Sequence, residues 1–99
     1  MANLTVIRWR DIPAQVIAGQ GRDKVRRELS PRFQIAIDRA AMAAGLIGTD
    51  TYLEQWTRTS RECGDDLETE VATEVDRLET EFDPERIDRI VSLGGTEDQ

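Results

Sequence analysis

The sequence contains no histidine and a single cysteine, Cys63, among its 99 residues. Histidine is the commonest general base and metal ligand, so ordinary zinc sites and Cys-His or Ser-His-Asp nucleophile systems are excluded within this chain. Carboxylates remain, but they show no EF-hand spacing that would indicate a Ca²⁺ site. We therefore expect no catalytic residues, no metal site, no cofactor and no enzymatic activity of its own.

Long hydrophobic runs are also missing, since no stretch approaches the roughly 20 apolar residues that a membrane span needs. The N-terminus shows no basic leader followed by an apolar run, which a secretory signal would have. A lone cysteine cannot close an intramolecular disulfide, in keeping with a reducing compartment. These absences predict a cytoplasmic protein that does not bind membranes.

Charge is plentiful but unevenly distributed, with a formal net charge of −7. Residues 1–62 carry ten Lys and Arg against seven Asp and Glu, whereas residues 63–99 carry three Arg against thirteen Asp and Glu. The acidic second half repels phosphates, so we expect no nucleic-acid partner. The same change in charge divides the domain into a core, residues 1–62, and an acidic helical extension, residues 63–99.

The N-terminal third favours a β-hairpin. Residues 4–9 are rich in β-branched and aromatic side chains, and residues 14–18 form a second apolar run after the interruption at Pro13. Residues 22–29 are ambiguous: Val25 and Leu29 have helical spacing, but the alternation of basic residues also suits a third strand. We predict a helix there.

The remainder of the chain reads as helical. Ser30-Pro31 and Asp83-Pro84 combine a capping side chain with a proline at the first helical position. A further helix is predicted from Thr49 or Asp50 to Cys63. An acidic helix with an apolar stripe then follows, its apolar residues being Leu67, Val71, Val75, Leu78 and Phe82. The expected fold is α+β, an N-terminal β-hairpin packed on three to four α-helices.

Two segments supply candidate binding residues. Trp9, Arg10, Asp11 and Gln15 belong to a distinctive stretch that could present an aromatic and an arginine at an interface; alternatively, Trp9 lies in the core and Arg10 pairs locally with Asp11. The second segment is a basic cluster that could hold an anionic ligand or an acidic partner, or could be a solvated face. Its residues are Arg22, Lys24, Arg26 and Arg27.

The acidic helix and Cys63 are weaker candidates. The apolar stripe of the helix could dock on a partner or a second copy, although such stripes more often pack within their own domain. Cys63 precedes a helix start, which lowers a thiol pKa, but Asp65 and Asp66 beside it oppose that effect, so we expect an inert thiol.

The first 60 residues resemble the bacterial virulence factor family, a short domain also found inside the larger conserved virulence factor C proteins of Gram-positive bacteria. The resemblance rests on residues 9–16, Gly21-Arg22, Arg26-Arg27, Arg32-Phe33 and residues 36–42. It implies no assigned catalytic residues. Stand-alone members look like proteins encoded beside methyltetrahydrofolate and corrinoid methyl-transfer proteins, which would imply an accessory role in one-carbon metabolism.

Two functions are therefore expected. The first is a non-catalytic accessory or adaptor protein that contacts another protein or a second copy of itself. The alternative is a ligand-binding accessory subunit of a folate or corrinoid methyl-transfer system, in which the basic cluster would meet the anionic part of the ligand.

Overall fold

The computed structural model describes residues 2–97. Strands and helices are mixed along the chain, which confirms the α+β class. The elements are β1 (Ala2–Trp9), β2 (Ile12–Gln20), β3 (Asp23–Glu28), α1 (Pro31–Ala43), α2 (Asp50–Glu54), β4 (Trp56–Cys63), α3 (Leu67–Glu81) and α4 (Pro84–Ser92).

The four strands form one antiparallel sheet in the order β3-β2-β1-β4. β1 and β2 form the predicted hairpin, with a tight turn in which Arg10 adopts a positive φ of 53°. The pairing of these strands shifts between Ile7 and Arg8, which leaves Ala14 without a residue directly opposite. This irregularity follows Pro13, which has no N–H to donate to a strand partner.

The helix predicted for residues 22–29 is wrong, because the chain forms β3 there. Gly21, with a φ of 61°, makes the turn that sends the chain back along β2. Val25 lies opposite Ala18 and packs against the core, whereas Lys24 and Arg26 are exposed. The alternation of charged residues was thus the correct indication, and the helical spacing of Val25 and Leu29 was coincidental.

The helix predicted to run as far as Cys63 is also wrong for most of its length. It ends at Glu54 as α2, and residues 56–63 form β4, which pairs with β1 along its whole length. Trp56 lies opposite Trp9 in this pairing instead of continuing a helical face with Tyr52. The predicted two-stranded hairpin is therefore the centre of a four-stranded sheet.

Three of the helices cover one side of the sheet, while the short α2 lies against β4 with Tyr52 stacked on Trp9. α3 packs on β1, β2 and β3, α1 packs on β2, and α4 packs on α1. The apolar stripe of α3 lies inside this layer, with Val71 fully buried and Leu78 1% exposed. It is therefore covered by its own domain and is not a free docking surface.

The start of α1 is held by α3. Ser30 precedes α1 without capping it through its own side chain. Glu79 of α3 instead accepts hydrogen bonds from the Ser30 backbone N–H (2.6 Å) and from its hydroxyl (2.9 Å). Asp83 caps α4 as predicted, by accepting a hydrogen bond from the backbone N–H of Arg86.

Candidate functional site

The two faces of the sheet have different surroundings. Successive residues of a strand point to opposite faces, so Leu4 and Val6 point into the helical layer and are buried. Thr5 and Ile17 point the other way, and among residues 2–97 no helix packs over them. We call this second side the open face.

Three cations lie on the open face. Lys24 and Arg26 come from β3, and Arg58 comes from β4 on the far side of the sheet. All three are exposed, and within residues 2–97 none has a carboxylate oxygen within 4.0 Å. They border a depression of about 500 Å³. The depression therefore carries positive charge that the described chain does not neutralise.

The shape of this depression follows from small residues on β2. Gly19 lies opposite Lys24, whose Cγ is 3.5 Å from the place where a Cβ of residue 19 would stand. The lysine stem can therefore lie against β2. The floor combines the polar Asn3 and Thr5 with the aliphatic Ile17. Such a surface can offer cations at its rim and apolar contact beneath them.

Two further depressions, each of about 290 Å³, continue from the first. One lies beside Ile7 and Arg58, the other beside Leu29 and Pro31, and both are lined by Gln15 and Trp56. Because Arg58 also borders the basic depression, the three are contiguous across the open face. We call them together the open-face groove.

Gln15 supplies an unsatisfied acceptor in the groove. Its Oε1 atom is shielded from solvent and has no hydrogen-bond partner within the described residues. Buried polar atoms are normally paired, and leaving one unpaired costs about 1–3 kcal/mol. Trp56 stands beside it, half-buried, with its ring edge-on to Tyr52 at a centroid distance of 6.4 Å. This end of the groove therefore places an amide side chain next to an aromatic ring.

The structure divides the predicted basic cluster. Lys24 and Arg26 share the groove, whereas Arg27 points to the helical side of β3, opposite Val16. Arg22 is exposed in the turn between β2 and β3. Arg58 joins the two groove cations, although sequence reasoning missed it because β4 was taken for a helix. The alternation of threonine and charged residues along β4 is the signal that could have found it.

The predicted segment around Trp9 has a structural role, except at Gln15. Trp9 is fully buried, and its Nε1 donates to the backbone carbonyl of Tyr52 at 2.9 Å. Arg10 lies over the Trp9 ring and donates to the Gly94 carbonyl at 2.8 Å. Asp11 accepts a hydrogen bond from the Glu97 backbone N–H at 2.7 Å. The hairpin turn is thus tied to the last described residues of the chain.

The helical side holds the strongest ion-pair cluster, centred on Glu74. Its carboxylate accepts hydrogen bonds from Arg77 (3.1 Å to Nε) and Arg61 (3.5 Å to Nη2). The hydrogen bond from Arg77 is the main reason that the pKa of Glu74 lies below its usual value, and burial opposes it. The pKa of Arg8, nearby on the same side, is lowered mainly by burial. These groups are mutually satisfied and leave no free reactive group.

Cys63 ends β4 and is half-buried. Burial, assisted by the charge of Glu70, raises the pKa of its thiol. A thiol with a raised pKa is protonated at neutral pH and is a poor nucleophile. Within residues 2–97 no group of three or more Cys, Asp or Glu residues is placed to hold a metal ion. No helix in the same range is long and apolar enough to cross a bilayer.

The sequence model of the virulence factor family matches residues 7–91. The chain belongs to the virulence factor family. The match extends through α3 and most of α4, well beyond the first 60 residues on which the resemblance rested, so the acidic helices are part of the family domain. No curated protein and no solved structure matches this family member.

Proposed function

We propose that this protein is a non-catalytic accessory protein that binds an acidic segment of another protein in its open-face groove. The observation that carries the proposal is the set of three exposed cations, Lys24, Arg26 and Arg58, around an uncovered depression, none of which forms an ion pair within 4.0 Å in the described chain. Complementary charge steers association and suppresses wrong partners.

The distribution of charge over the molecule supports an oriented encounter. The helical side opposite the groove carries the acidic helix α3. An acidic partner is repelled from that side and attracted to the open face, so it approaches in one orientation. Nucleic acid fits less well, because its phosphates would meet the strongly acidic remainder of the chain.

The remainder of the groove suits an extended peptide. Ile17 offers aliphatic contact, and the side chain of Gln15 lines the adjoining depression. Trp56 adds an aromatic surface of the kind enriched at protein interfaces. An acidic segment with one or two apolar side chains would satisfy all of these features together.

The decisive experiment compares two double variants that lose the same charge. Lys24→Gln/Arg26→Gln removes groove cations, and Arg22→Gln/Arg27→Gln removes cations from the turn and the opposite face of β3. The probes are peptides selected from a random displayed library on the wild-type protein. We expect acidic peptides, bound about tenfold or more weakly by the groove variant, with affinity falling as salt rises. Selection of non-acidic peptides, or equal loss in both variants, would overturn the proposal.

A ligand-binding accessory subunit of a methyl-transfer system is the second candidate. The size of the basic depression, about 500 Å³, favours it, because small-molecule sites fall in the range of about 300–1,000 Å³. Thermal unfolding with a folate and with a corrinoid tests it, since a ligand that binds only the folded state raises the melting temperature. A rise that disappears in Lys24→Gln/Arg26→Gln supports this candidate, and no rise at saturating ligand eliminates it.

A further inference from the structure

β4 is an open edge of the sheet. It pairs with β1 on one side, and within residues 2–97 no strand lies on its other side. An edge strand presents unpaired backbone N–H and C=O groups that can pair with another chain, and proteins usually block such edges with charged side chains, proline, bulges or short length. β4 has eight residues, no proline, and no irregularity in its pairing with β1.

The side chains of β4 indicate which chain it would accept. Arg58 and Glu62 lie on the same face of the strand, and neither forms an ion pair within 4.0 Å in the described chain. Being four residues apart on an extended strand, they are too far from each other to pair, at about 3.4 Å per residue. Each is therefore available to pair with an opposite charge from another chain.

A second copy of β4, paired antiparallel with the first, supplies those charges when the pair is centred on one particular residue. In an antiparallel pair, two opposed residues must both direct their backbone groups toward the partner strand or both away from it. A symmetric β4–β4 pair is therefore centred on a single residue opposite itself. Centring on Ser60 places Arg58 of each copy opposite Glu62 of the other, twice by symmetry. Centring on Arg58 or Arg61 would oppose two arginines, and centring on Thr59 would form no ion pair.

The other edge of the sheet is less well matched. Centring β3 on Val25 opposes Asp23 to Arg27 but also Lys24 to Arg26, each twice, and centring it on Arg26 opposes two arginines although it brings Lys24 opposite Glu28. Like charges directly opposite each other destabilise a strand pair. These β3 alignments thus mix attraction with repulsion, whereas the β4 alignment on Ser60 opposes no like charges.

We propose that two copies of this protein pair through their β4 edges, antiparallel and centred on Ser60, to form a continuous eight-stranded sheet. The contact is isologous, since the same strand serves both copies, and it closes at two because each β4 is then paired on both sides. Both open faces lie on the same side of the joined sheet. Lys24 and Arg26, on the far edges, stay outside the interface.

Charge reversal tests this pairing by sedimentation over a wide concentration range. Glu62→Arg opposes two arginines to each other, and Arg58→Glu opposes two glutamates. We expect each to weaken the dimer by about tenfold or more. The double variant Arg58→Glu/Glu62→Arg reverses both ion pairs and restores the dimer. Asp76→Arg, on α3, is the matched control and leaves the dimer unchanged.

A cross-link tests the alignment itself. In a Cys63→Ser background, Ser60→Cys places two thiols opposite each other at the centre of the interface, within the Cα separation that a disulfide requires. Thr59→Cys in the same background faces Arg61 of the other copy and does not cross-link. A wild-type protein that stays monomeric up to millimolar concentration overturns the proposal, as does a dimer that both single reversals leave intact. Pairing with Glu62 of the second copy engages Arg58, so Lys24 and Arg26 are the groove cations that the dimer leaves for an acidic peptide. Glu62→Arg and the cross-link alter neither of these two, which keeps the dimer test distinguishable from the peptide-binding test.

Discussion

Glu74 shows how a single charged residue can be kept inside the fold. It is 4% exposed, and its carboxylate is held by Arg77 and Arg61, which reach it from α3 and β4. Removing one partner of a buried pair leaves the other charge uncompensated. Here the arginines are about half exposed, so water compensates part of that loss.

Replacing Glu74 by Gln should therefore destabilise the protein by about 1–3 kcal/mol at neutral pH. Because the folded pKa of Glu74 is lowered, its stabilisation is fully present above the unfolded pKa and is lost as the pH falls through the folded pKa. Urea unfolding of wild type and Glu74→Gln at several pH values measures this. The difference between them should shrink below about pH 4.5, and a constant difference down to the lowest accessible pH would contradict the assignment.

At the scale of elements, α1, α3 and α4 could be predicted because their signals are local. Ser30-Pro31 and Asp83-Pro84 mark helix starts, and the apolar spacing from Leu67 to Phe82 marks a buried face. β3 and β4 carry few apolar residues, so the alternation that identifies a half-buried strand is weak in them. Their conformation is set mainly by pairing with β2 and β1, which the weak alternation in their own sequences indicates only in part.

The candidate site was predictable to the same extent as the strands that build it. Lys24 and Arg26 stood out as a basic cluster, but the sequence could not show that Arg27 would point away from them. Arg58 belongs to the groove only because β4 lies next to β1. For Trp9 the sequence left two environments open, because an aromatic residue beside an arginine is typical both of interfaces and of protein cores.

Glu79 links two elements, so its replacement tests how α1 is anchored. Its carboxylate accepts hydrogen bonds from the backbone N–H and hydroxyl of Ser30, and Arg32 donates to it as well. Glu79→Ala should cost about 1–2 kcal/mol, because the helix start loses its cap. Glu68→Ala, in the exposed first turn of α3, is the control, with a change of about 0.5 kcal/mol or less. Equal urea midpoints for Glu79→Ala and wild type would show that the contact contributes nothing.

At the scale of the whole molecule, the C-terminal end of the described chain meets the β1–β2 turn. The Asp11 backbone N–H donates to the Gly95 carbonyl at 2.9 Å, while Arg10 reaches the neighbouring Gly94 carbonyl. Gly95 lies against the Trp9 ring with a φ of 105°. The helical half is thus fastened to the hairpin by contacts that need glycine at this point, which accords with a family match that spans both halves.

Gly95→Ala should therefore be among the most damaging small substitutions in the chain. A Cβ at residue 95 would stand 2.7 Å from Cζ3 of Trp9, and its φ is one that side-chain-bearing residues rarely adopt. The buried indole cannot move aside without disturbing the core, so we expect a loss of about 2–4 kcal/mol in urea unfolding. Gly21→Ala is the comparison for the cost of placing alanine at a positive φ, because Gly21 has a positive φ but open space around it. It should cost only about 1 kcal/mol. If the two variants lost equal stability, contact with Trp9 would not be what requires glycine at position 95.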